Sequence, residues 1–208
     1  MASGRLLTSI SASAELSPRK AAKNAARQAA LARRDALDQG FRAAAGARLA
    51  ELAADLPIEA GALLAGFMAI RSEIDPLLLM QAMLKRGHAL CLPVVLADRE
   101  TTIFRAWDGL SVLERSSFGL SVPPSSAAAL EPQALLIPLA AFDRRGYRIG
   151  YGKGHYDRAL ARLEANGPVL KIGVAFSVQE IDEVPAEPHD KRLDFMLTET
   201  DFFATRDI

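Results

Sequence analysis

Apolar and polar positions divide this chain into helix-length and strand-length segments. Ser17-Pro18 opens the first: Ser caps a helix and Pro is tolerated in its first turn, so the Ala-rich stretch to about Leu37 is expected to be helical. A second helix is expected from Phe41 to Asp55, ended by Pro57. Ala62 to Ile70 is a continuous apolar run, the pattern of a strand covered on both faces. Asp75-Pro76 reads as a helix start, Leu77 to Arg86 as the helix, Gly87 as its stop, and Ala89 to Val95 as the next strand.

Strand, helix and strand in that order form the βαβ pattern of a parallel sheet. Thr102 to Trp107 adds a short strand, and Pro123 to Ser126 a loop. Ala134 to Ala140 is a further buried strand, His155 to Leu163 a helix, and Val169 to Phe176 and Phe195 to Thr198 the last strands. The expected fold is α/β: a single three-layer domain over residues 18–208, with a mostly parallel central sheet flanked by helices and preceded by a basic N-terminal helix. Residues 1–17 are expected to be a disordered extension. Their Arg5, Ser and Ala content faintly suggests a transit peptide, without a secretory apolar core.

In open α/β sheets, ligands sit beyond the carboxyl ends of strands. One such end carries Glu73 and Asp75, another carries Asp143 and the glycine-rich stretch Arg148-Ile149-Gly150-Tyr151-Gly152-Lys153-Gly154-His155-Tyr156-Asp157. A third polar cluster is Glu187-Pro188-His189-Asp190. Glycines let a backbone bend sharply and approach a ligand closely. Their N–H groups, backed by Arg148 and Lys153, suit phosphate oxygens, and an Asp at the loop's exit can hold a divalent cation. The spacing fits neither the dinucleotide fingerprint nor the Walker A template.

Composition narrows this picture. The chain has 208 residues, half of them hydrophobic, with 25 basic and 25 acidic side chains. That balance weighs against a nucleic-acid protein. Lys23, Arg27 and Arg34 share one helix face, and spacing alone favours a solvated basic surface there. The lone cysteine, Cys91, sits in an apolar run and reads as a buried, inert strand residue that fits a reducing compartment. No run reaches the roughly 18 apolar residues of a membrane span, so a cytoplasmic location without membrane partners is expected.

The glycine stretch, with Phe142-Asp143 before it and Arg158 after, closely resembles the signature of the 5-formyltetrahydrofolate cyclo-ligase (methenyltetrahydrofolate synthetase) family. Lys23-x-x-x-Arg27, Glu73-Ile74-Asp75, Leu92-Pro93, Phe104-x-x-Trp107, His189-Asp190, Leu193-Asp194 and Thr198-Glu199 stand in register with it, over about residues 18–200. The resemblance implies ATP- and Mg²⁺-dependent closure of 5-formyltetrahydrofolate to 5,10-methenyltetrahydrofolate through a phosphorylated formyl (imino phosphate) intermediate. It implies small-molecule substrates, no nucleic acid and a monomer. A non-catalytic nucleotide- or RNA-binding relative that keeps the fold is the alternative, with the basic first helix as its contact surface.

By the same resemblance, Lys23 and Arg27 contact ATP phosphates, and Arg148, Ile149, Gly150, Tyr151, Gly152, Lys153, Gly154, His155 and Tyr156 form the ATP loop. Lys153, Arg148 and Tyr156 are the implied catalytic groups. Gly152 to Tyr156 also border the folate, with Met68, Glu73 and a stacking Trp107. Asp157 and Asp190 are the implied magnesium residues. Residue chemistry leaves rivals open: Glu73 as a helix cap, Asp157 in a salt bridge with Arg158 or Arg162, Asp194 in place of Asp190, and Trp107 or Met68 as plain core. Many family members carry Tyr where this chain has His155.

Overall fold

The computed structural model describes residues 17–187 and 190–205. Residues 1–16 and His189, for which the sequence raised expectations, lie outside the described residues. Helix α1 spans Pro18–Asp35, with the Ser17 hydroxyl accepting the Lys20 N–H at 3.3 Å. Helix α2, Gln39–Glu51, is capped by Asp38 and ends in a 3₁₀ turn, Leu52–Ala54. Strand β1 (Leu64–Ala65), helix α3 (Leu77–Lys85) and strand β2 (Leu90–Val95) form the βαβ unit. Strands β3 (Thr102–Trp107), β4 (Glu114–Arg115), β5 (Ser121–Val122), β6 (Ala129–Leu130) and β7 (Ala134–Pro138) follow. The hairpin of β8 (Ala141–Phe142) and β9 (Arg148–Ile149) leads into helix α4, His155–Glu164. Strands β10 (Leu170–Val174), β11 (Phe195–Leu197) and β12 (Phe202–Ala204) complete the chain.

Eight strands make one sheet in the order β12-β11-β10-β7-β1-β2-β3-β6. The run from β11 to β2 is parallel, and β12, β3 and β6 join antiparallel at the edges. Alternation along each strand divides the core. Leu64, Leu90, Leu92 and Leu136 face a cluster that includes Leu49 of α2 and Leu79, Met80 and Met83 of α3. Ala65, Cys91, Leu135 and Ile137 face the other side, against Ala159, Leu160 and Leu163 of α4. A parallel sheet covered on both faces needs apolar residues at consecutive positions, and that is why these strands carry unbroken apolar runs. The expected three-layer α/β architecture is therefore present.

The Ala62–Ile70 run departs from expectation, because only Leu64–Ala65 pairs as strand. At Gly66 an added Cβ would meet the Met80 sulfur at 1.9 Å. The chain then leaves the sheet, and Phe67 and Met68 turn their apolar side chains to a cavity.

Asp143, fully buried, organises the β8–β9 turn. It accepts the N–H groups of Arg145, Tyr147 and Val184 at 3.0, 3.1 and 2.9 Å and pairs with the Arg145 guanidinium at 2.8 Å. Gly146 is required there: its φ is +88° and an added Cβ would lie 2.7 Å from the Leu193 carbonyl oxygen.

Candidate active site

Strand β7 ends at Pro138, and the loops that follow β1, β2 and β9 converge around a cavity of about 330 Å³ at this carboxyl end of the sheet. Met68 and Glu73 come from the segment after β1. Arg148, Gly150, Tyr151, Lys153 and Gly154 come from β9 and the glycine loop, and His155, Tyr156 and Asp157 from the first turn of α4. Asp190 closes the ring. A larger, shallower groove of about 840 Å³ lies at the opposite, amino end, beside Ala134 and Leu170, away from the glycine loop.

Helix α1 turns Lys23, Arg27 and Arg34 inward, so the solvated basic surface expected of that face is not what forms, while Arg19, Lys20 and Arg33 stay exposed. Arg27 donates from Nε to the Gly150 carbonyl at 2.7 Å, and its guanidinium lies 3.8 Å from where a Gly152 Cβ would stand. Lys23 pairs with Asp190 at 2.6 Å. Arg34 is 3 % exposed and donates to the Tyr151 hydroxyl at 2.6 Å. An α-helix brings residues four and seven apart to one side, and that side is pressed onto the loop.

Arg148 is buried, donates to the Lys191 carbonyl and pairs with Asp157. Neither Arg158 nor Arg162 is the partner of Asp157: Arg158 donates to Glu100 and Lys153 carbonyls, and Arg162 pairs with Glu131. Lys153 is exposed at the cavity mouth and makes no ion pair among the described residues. The left-handed φ values of Gly152 and Gly154, +86° and +66°, give the loop its course.

Glu73 does not cap α3, whose first N–H, at Leu77, goes to Asp75 at 2.9 Å. Its carboxylate instead accepts the Ile70 N–H at 2.9 Å. Burial pushes the Glu73 carboxyl above the ordinary range, opposed by the nearby Tyr151 hydroxyl, the Ile70 N–H and the charges of Arg34 and Arg71. The Tyr151 and Tyr156 phenols are both pushed far up, chiefly by burial and then by Glu73, and stay protonated donors. Burial, with Arg158 and Lys153, lowers the His155 imidazole and favours its neutral form.

Three expected site residues present no side chain to the cavity. Trp107 is 8 % exposed, packs in the α2–α3 core and donates from Nε1 to the Ser111 carbonyl at 3.0 Å. It does not line the cavity, because the antiparallel register sets it opposite Leu90. Ile149 is fully buried with Ala30, Ala141 and Val184, so only its backbone belongs to the loop. Asp194, the alternative metal residue, accepts the Lys171 N–H at 2.7 Å and borders the groove at the amino end.

The cavity also has walls that single-residue chemistry did not single out: Phe67, Val95, Thr102, Leu120 and Pro138. The Thr102 hydroxyl is buried without a hydrogen-bond partner among the described residues, so this wall keeps one polar atom unsatisfied. An alternating strand pattern signals that Thr102 has a buried face, but nothing in it says that the face borders a cavity.

A cleft at the carboxyl end of an α/β sheet, with a cationic glycine loop on one side and a half-buried carboxylate on the other, is the arrangement of an enzyme acting on small molecules. The sequence profile of the 5-formyltetrahydrofolate cyclo-ligase family matches residues 19–199, and the chain belongs to that family. A 5-formyltetrahydrofolate cyclo-ligase of Mycolicibacterium smegmatis is 32 % identical over 145 residues, covering 66 % of this chain and 74 % of the relative. The solved 5,10-methenyltetrahydrofolate synthetase of Aquifex aeolicus superposes with a TM-score of 0.75 at 28 % identity, over 89 % of this chain and 93 % of the other. The Mycoplasma pneumoniae synthetase superposes at 0.67 and 26 % identity, over 85 % and 98 %.

Proposed function

We propose that this chain uses ATP and a magnesium ion to close 5-formyltetrahydrofolate to 5,10-methenyltetrahydrofolate, releasing ADP and phosphate. One observation carries the reading: the glycine loop and Glu73 face each other across a single cavity that also holds Arg148, Lys153 and Tyr156. Phosphoryl transfer asks a protein mainly for positioning and charge neutralisation, and this cavity offers both without a nucleophilic Ser or Cys.

In this reading Glu73 accepts hydrogen bonds from the N–H edge of the pterin, where an ionised carboxylate suits two adjacent donors. Phe67 and Met68 cover the ring's apolar surface. The loop N–H groups, Lys153 and Arg148 hold the triphosphate, with Arg27 bracing the loop through Gly150. Lys23 reaches the phosphates once it leaves Asp190. The formyl oxygen attacks the γ-phosphorus and ADP departs, leaving an imino phosphate. N10 then attacks the activated carbon and gives up its proton to solvent, the C–O bond breaks and phosphate leaves. Tyr156, kept protonated by burial, donates a hydrogen bond to charge that develops on oxygen.

The residues present fit magnesium. Asp157 and Asp190 line the same cavity, and magnesium is usually held by one or two carboxylates with substrate phosphates and water, not by a closed protein cage. Bound there, the ion neutralises phosphate charge. A cage is not on offer: no group of three or more His, Cys, Asp or Glu converges among the described residues.

The test is direct. Mixing the protein with 5-formyltetrahydrofolate, ATP and magnesium should raise the near-ultraviolet absorbance of the methenyl product. Folded protein that gives no absorbance change, with each reactant omitted in turn as control, refutes the reading.

A further inference from the structure

Helix α1 delivers a third cation beyond Lys23 and Arg27, and the mechanism above does not use it. Arg34 is 3 % exposed, and its guanidinium reaches two separate segments of the site at once. From Nε it donates to the Ser72 hydroxyl at 3.0 Å, and from Nη1 to the Tyr151 hydroxyl at 2.6 Å. The Asp35 carboxylate lies 3.3 Å from both Nε and Nη2 and also accepts a hydrogen bond from the Ser72 hydroxyl. A buried guanidinium is costly to keep unless such contacts fix it.

Each end of this bridge is tied to one wall of the cavity. Ser72 stands in the turn from Ile70 to Glu73, which closes on itself. The Glu73 N–H goes to the Ile70 carbonyl at 3.1 Å, and the Ile70 N–H goes to the Glu73 carboxylate at 2.9 Å. Holding Ser72 therefore holds Glu73. At the other end, Tyr151 stands between Gly150 and Gly152, where the backbone has little of its own to fix its course. Arg34 clamps the Tyr151 hydroxyl, whose own proton has the Leu139 carbonyl at 3.5 Å, and Arg27 clamps the Gly150 carbonyl. A guanidinium is a flat fork with donors on separate edges, so it sets the spacing of two acceptors as a compact ammonium cannot.

We propose that Arg34 is a positioning residue that sets the distance between the two walls of the cavity, the turn that carries Glu73 and the loop that carries Tyr151 and Lys153. The inference rests on the function proposed above, in which the folate lies against the first wall and the triphosphate against the second. The formyl oxygen and the γ-phosphorus then come from different walls, and phosphoryl transfer needs them in line. A misplacement of about 1 Å costs about 100-fold in rate. Breaking the bridge leaves each wall its own contacts with its own substrate, so the loss falls on the step in which the two substrates meet.

The experiment measures steady-state formation of the methenyl product by wild type, Arg34→Met, Arg34→Lys, Ser72→Ala, Tyr151→Phe and the Ser72→Ala/Tyr151→Phe pair, below the melting onset of every variant. Arg34→Met should lower kcat about 10- to 100-fold and leave the KM for each substrate within about 3-fold. Arg34→Lys should restore little of the loss, because one ammonium cannot hold both hydroxyls. Ser72→Ala and Tyr151→Phe each cut one end and should lower kcat to a similar degree. Together they should lose no more than the worse single change, since both act through one bridge. Unchanged kcat, a raised KM for one substrate alone, additive losses from the two ends, or full activity in Arg34→Lys overturns the proposal. Should Arg34→Met fail to fold, the two end variants, each lacking one oxygen, decide by the same comparison. Wild type that forms no methenyl product overturns the functional reading and this proposal with it. Active wild type beside unaffected variants overturns only the role of Arg34.

Discussion

On the function proposed above, removing Glu73 is expected to impair folate binding and removing Lys153 to impair turnover. Glu73 is held in a setting that suits its protonated form, since burial raises its carboxyl above the ordinary 4.5. The sign follows from linkage. Stability drawn from the protonated form is present below the unfolded value and is lost as pH rises through the raised one. At neutral pH the ionised carboxylate therefore burdens the fold. Glu73→Gln is expected to raise the thermal midpoint by a few degrees and to raise the KM for the folate by about 10- to 100-fold, the worth of a charged hydrogen bond. Calorimetric melting and steady-state kinetics check the two halves. Lys153 is exposed and touches no core, so Lys153→Ala should leave the melting point within about 1 °C. It should lower kcat by about 100-fold, the usual loss when one donor to a developing charge is removed.

At the scale of elements, the β8–β9 hairpin depends on Asp143. Replacing it by Ala orphans three N–H groups, at about 1–3 kcal/mol for a buried donor left unmet, while the Arg145 guanidinium keeps Glu183 and the Val184 carbonyl. Urea denaturation should show that loss as a lower midpoint with little change in slope. Elements whose role is to pair were the most legible in the sequence. Thr102–Trp107 pairs over the expected bounds, because its β-branched and aromatic residues serve a strand directly. Ala62–Ile70 reads as strand throughout, yet its second half lines the cavity. An apolar run records burial, whether against a neighbouring strand or a ligand site. Phe202–Ala204 was missed because three residues on an edge leave no period to read. The glycine loop declared itself by composition, whereas the inward roll of α1 could not be read, since a helix face carries no label for what it meets. Trp107 shows the converse: its residue type suggested stacking on a ligand, and register decided against it.

For the molecule as a whole, Cys91 offers a gauge of opening. Its thiol is fully buried between the sheet and α4 and is pushed up to about 12 by burial. It should resist a disulfide reagent in the native protein and react only as fast as the whole sheet opens. Labelling rates that match the unfolding rate across urea concentrations check this. The ion pairs Lys23–Asp190 and Arg148–Asp157 reach further. Each joins a group expected to meet phosphate with a group expected to meet metal, so four of the pocket's charges are already matched before anything binds. On the proposed reading, loading the pocket would be a double exchange in which each cation and each carboxylate changes hands, and a nucleotide arriving without its metal would have to strand two carboxylates beside its own negative charge.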